Sequence, residues 1–105
     1  MKTQELIDAL RKHSHNFVTT KKYCVQVYSG GKRGNIKRLD ETVVCVFDIE
    51  EGRIMIAPAK DNFPYSFGYT RYEIKANEDL ETIARIDHKD SKEIFDAFSD
   101  FLNND

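Results

Sequence analysis

Tryptophan is absent from this 105-residue chain, and cysteine, proline and methionine occur only twice each. Two cysteines are too few for the disulfide framework that holds small secreted domains together. With two prolines and five glycines, the chain has no room for a linker or a low-complexity tract. No apolar run approaches the ~20 residues that span a bilayer. The start, Met1-Lys2-Thr3-Gln4-Glu5, leads into a polar amphipathic pattern and not into the apolar segment of a signal peptide. The expectation is a cytoplasmic protein with no membrane contact, whose Cys24 and Cys45 stay reduced and act as small apolar core residues.

Motifs of chemistry are missing as well. The chain contains no G-x-x-x-x-G-K-[ST] phosphate loop, no G-x-S-x-G and no H-E-x-x-H. No C-x-x-C pair accompanies His13-x-His15, so no metal site is expected. Cys24 lies within an apolar run, where a thiol lacks the electropositive surroundings that activate a nucleophile. These absences point away from an enzyme and from any cofactor.

The chain is 40% hydrophobic and 32% charged, with seven Phe and five Tyr. That composition suits one globular domain with a small, aromatic-rich core, over residues 1–105. Charge is sorted by position. Residues 1–38 carry nine Lys/Arg against two acids, and residues 39–105 carry seven against sixteen.

Leu6, Ile7 and Leu10 fall at helical spacing, with Thr3 as the expected cap and Glu5 in the first turn. From Phe17 to Tyr28 the period becomes two, which predicts a strand. Gly30-Gly31 and Gly34-Asn35 predict an irregular basic loop between Ser29 and Arg38. Thr42–Ile49 and Arg53–Ala59 read as two strands joined by a turn at Glu50-Glu51-Gly52. Phe63, Tyr65, Phe67 and Tyr69 alternate with smaller residues and predict an aromatic strand or edge that continues to Tyr72 and Ile74. Leu80, Thr82, Ala84 and Ile86 alternate too, so residues 80–86 read as a last strand, with a helix as the weaker reading. Asp90 and Glu93 form a capping-box pattern ahead of Ile94, Phe95, Phe98, Phe101 and Leu102, the stripe of a terminal amphipathic helix. The expected architecture is α+β in two layers: an antiparallel meander of four or five strands, with the N- and C-terminal helices packed on one face.

Two constellations are candidate binding sites. One is the basic segment with Lys21, Lys22, Lys32, Arg33, Lys37 and Arg38. The other is the aromatic edge with Tyr65, Phe67 and Tyr69, which would serve either as contact surface or as core. The bland alternative for the basic segment is a solvated hairpin whose charges pair with the acidic half. The expected function is that of a small non-enzymatic interaction protein, of bacterial or phage type. It would bind another protein, or a second copy of itself as a homodimer. Nucleic-acid binding through residues 21–38 is the alternative, resting on phosphate contacts.

Overall fold

The computed structural model describes residues 2–13, 17–58 and 71–103, with backbone only at 17 and 18. Helix α1 spans Thr3–Lys12. Six strands follow: β1 Phe17–Thr19, β2 Tyr23–Tyr28, β3 Arg33–Arg38, β4 Val43–Glu50, β5 Arg53–Pro58 and β6 Tyr72–Lys75. Helices α2, Glu81–Arg85, and α3, Ser91–Asn103, close the chain. The strands pair antiparallel in sequence order, an uninterrupted meander. The α+β architecture is the one expected, with a helix before the sheet and helices after it. No helix among the described residues is long and apolar enough to cross a membrane.

Period-two alternation decides which side chains enter the core. Val25 and Val27 of β2, Ile36 of β3, Cys45 and Phe47 of β4, Ile54 and Ile56 of β5 and Ile74 of β6 all lie on one face, buried. Leu6, Ile7 and Leu10 of α1, Leu80 and Ile83 at α2, and Ile94, Ala97, Phe98 and Phe101 of α3 cover them. The Phe98 ring meets Phe47 at a centroid distance of 5.8 Å. Burying each such side chain contributes about 1.5–3 kcal/mol.

Several local expectations are corrected. Residues 81–85 are helical because Leu80 and Ile83, three apart, both reach the core, whereas the alternating Thr82 and Ala84 do not. The segment 33–38 is strand β3 and not loop. Gly34 sits mid-strand because a Cβ there would overlap the Phe47 ring and the Gln26 carbonyl. Its place is an inward position from which the ring excludes any side chain. Thr3 is not the cap. It is the first helical residue, buried, and its hydroxyl donates to the Glu78 carbonyl at 3.0 Å. Glu93 does not turn back to Asp90, whose N–H instead donates to His88 Nδ1 at 3.1 Å.

Candidate functional site

Helices seal one face of the sheet, and no described element covers the other. The register sets out that open face in rows. Cys24 of β2 lies beside Lys37 of β3, and Lys37 beside Val43 of β4. The next row runs Gln26, Asn35, Val46, Ala57. The third runs Tyr28, Arg33, Asp48, Met55, Glu73 across five strands. The middle row is uncharged and half-buried. Asn35 Nδ2 reaches Gln26 Oε1 at 3.4 Å, and the buried Asn35 Oδ1 has no hydrogen-bond partner among the described residues.

Charges ring this centre, and they carry both signs. Arg33 Nε stands 3.8 Å from Asp48 Oδ2, and Lys37 Nζ 3.6 Å from Glu41. Arg53 bonds Glu50 and lies 3.2 Å from Glu73. Hydrogen bonding to Glu50 is the first cause that holds the Arg53 guanidinium above its ordinary range.

A cavity of about 410 Å³ opens on the same face. Val46, Met55 and Ala57 form its apolar part, and Tyr28, Arg33, Asp48 and Arg71 its polar part.

The basic segment does not converge. Tyr23 pairs with Arg38 at one end of the β2–β3 hairpin and Tyr28 with Arg33 at the other. Five strand steps, about 17 Å, separate the two ends. Lys21, Lys22, Lys37 and Arg38 gather at one end, Lys32 and Arg33 at the other. Arg38 leaves the open face altogether. Its guanidinium grips Glu93 of α3 with two hydrogen bonds, 2.6 and 2.8 Å, tying the sheet to the helix. That bidentate bond raises the Arg38 pKa above its ordinary value. Lys21, Lys22 and Lys32 are exposed and pair with no carboxylate among the described residues. The glycine-rich tip is not an open anion cradle, since it lies against α1: a Cβ added at Gly31 would stand 3.3 Å from Arg11 Cα. Tyr65, Phe67 and Tyr69 lie outside the described residues.

Cys24 and Cys45 are free, and β3 lies between their strands. Burial pushes the Cys45 thiol pKa up, as befits a core residue. No group of three His, Cys, Asp or Glu side chains among the described residues converges as a metal site.

Reasoning from the sequence missed Gln26, Asn35, Val46, Met55 and Ala57 as surface. The signal was present in the alternation. Each precedes or follows a core residue in its strand, and register then aligns them. No family model, characterised protein or solved structure matches this chain.

Proposed function

We propose that this chain is a non-enzymatic interaction protein that binds protein through the open face of its sheet, with a second copy as the partner the face fits. The supporting observation is the uncharged row Gln26, Asn35, Val46, Ala57 framed by charges of both signs. Protein interfaces have charge-poor centres enriched in Tyr, Met and Arg, and Tyr28, Met55 and Arg33 flank this one. A two-fold axis through the face would set the cations of one copy against the carboxylates of the other. With strands about 4.8 Å apart and about 20 Å long, the face offers roughly 500 Å² in projection per copy. That is near the lower bound of about 1,000 Å² in total for a specific interface, so the dimer is weak and concentration-dependent. In this proposal the protein works in the cytoplasm, where its two free thiols remain reduced.

Sedimentation velocity over a concentration series tests the proposal. The expected result is a monomer–dimer equilibrium that Gln26→Glu, which puts like charges near the axis, shifts to monomer. A monomer at every concentration overturns self-pairing.

Lys21, Lys22 and Lys32, exposed and paired with no carboxylate among the described residues, support a second reading, binding to a nucleic-acid backbone. Titration of a labelled oligonucleotide at several salt concentrations tests it. A steep salt slope, lost when the three lysines become alanine, supports it, and no binding at low salt rejects it.

A further inference from the structure

We infer that the second copy lies face to face on the open sheet about a two-fold axis that runs along the strands, between β3 and β4. This rests on the self-pairing proposed above and fixes how the two copies meet. Charge on the open face is sorted by strand. There β3 carries Arg33 and Lys37 and no carboxylate, and β4 carries Asp48 and Glu50 and no cation. An axis across the strands would set each strand against itself, so that neither set of charges finds its opposite. An axis along the strands, midway between the two, sets β3 of one copy against β4 of the other.

Register then matches the rows across the interface. Arg33 meets Asp48 of the second copy, and the reverse. Within one copy Arg33 Nε lies 3.8 Å from Asp48 Oδ2, longer than a hydrogen bond, and both side chains are partly exposed. Each therefore keeps room for a second ion partner. The four groups form a square of alternating sign, in which every neighbour has the opposite charge. Beside it, Tyr28 on β2 meets Met55 on β5, a ring against a thioether. In the next row Asn35 meets Val46 and Gln26 meets Ala57, with no charge in either pair. Other placements fail on charge or on cover. Centred on β3, the axis sets Arg33 against itself; centred on β4, it sets Asp48 against itself. Between β4 and β5 it lays the Asp48 carboxylate on Met55. Between β2 and β3 it leaves Met55 and Ala57 beyond β1, the edge of the described sheet. The remaining charges lie outside the square. Arg53 bonds Glu50 and reaches Glu73 at 3.2 Å. Arg71, Glu73 and Lys75 stand at the β6 margin, outermost from the axis. Lys37 keeps Glu41 and meets Val43 of the second copy.

Two measurements on the full chain test this axis. The first needs no variant. In a sample of half isotope-labelled and half unlabelled protein, NMR should record contact between the Tyr28 ring of one copy and the Met55 methyl group of the other. Three strand spacings, about 14 Å, separate the two residues within one copy, so the signal arises only between copies. The second is a charge swap read by sedimentation velocity. Arg33→Glu and Asp48→Arg should each weaken the dimer by about tenfold or more, because each sets like charges face to face twice. Mixed in equal amounts, the two variants should pair with one another at near-native affinity, since every facing pair in the mixed dimer has opposite sign. A native dimer without the Tyr28–Met55 contact would overturn the axis and leave self-pairing standing. So would Arg33→Glu dimerising as well as the native chain, or a mixture no tighter than either variant alone. A native chain that stays monomeric removes self-pairing and the axis with it. Should a single variant lose its fold, the double variant with both changes keeps opposite charges side by side within and between copies. It should dimerise at near-native affinity, and a folded monomer overturns the axis.

Discussion

On the covered face, Val25, Ile36, Phe47 and Ile56 are sealed beneath three helices with at most 1% of their surface exposed. One step along the same strands, Gln26, Asn35, Val46 and Ala57 stay half-buried, and the Asn35 side-chain carbonyl finds no partner among the described residues. The same backbone therefore presents a closely packed apolar side and a side left short of partners. Stability resides on the first. The second retains features that a stability-optimised surface would lose, which is the usual condition of a binding surface.

Substitutions can break or sharpen that contrast. The largest effect belongs to the covered face: Phe98→Ala should cost about 3–5 kcal/mol, read by urea denaturation, because it opens a cavity against Phe47. An unchanged midpoint would mean that α3 does not hold the sheet. Gly34→Ala should cost about 1–3 kcal/mol or more by the same measurement, since its methyl group has no space beneath the Phe47 ring. A neutral result would show that the ring can step aside.

Alkaline pH probes the margin where α3 meets β2. Desolvation first, and then the carboxylates Glu93, Asp96 and Asp100, hold the Tyr23 pKa above its ordinary value. Its stabilising contribution is fully present below the ordinary tyrosine value of about 10, and is lost as pH climbs from there to the raised folded value. Thermal melts across that window should show a steeper decline in the native protein than in Tyr23→Phe. Identical slopes would remove Tyr23 as a cause. The smallest effect belongs to the open face. Asn35→Thr should raise stability by about 0.5–1 kcal/mol, by removing an unsatisfied carbonyl and adding a β-branched side chain to a strand. A loss would mean that the Asn35 amide already supports the fold.

Much of the fold was legible in the alternation of apolar residues. Phe98 and Phe101 occupy the core as their helical spacing required, and the Val43–Glu50 strand carries Cys45, Phe47 and Ile49 inward together. Residues 80–86 misled because Leu80, Thr82, Ala84 and Ile86 satisfy a strand pattern while Leu80 and Ile83 satisfy a helical one, and only packing decides between them. Gly34 misled because a glycine reads as a break until the ring opposite is known. The basic segment was legible as composition but not as geometry.

By itself, the sequence determined which residues had to leave water and with what period, because burial of apolar surface depends on local spacing. It also determined that no familiar catalytic motif is present. Tertiary structure alone decided where charges meet. Arg38 and Glu93 are far apart in sequence, yet they share two hydrogen bonds. Lys32 and Lys37 are close in sequence, yet they stand at opposite ends of a hairpin. Electrostatic interaction depends on distance through space, which strand register and helix docking set and which position along the chain does not.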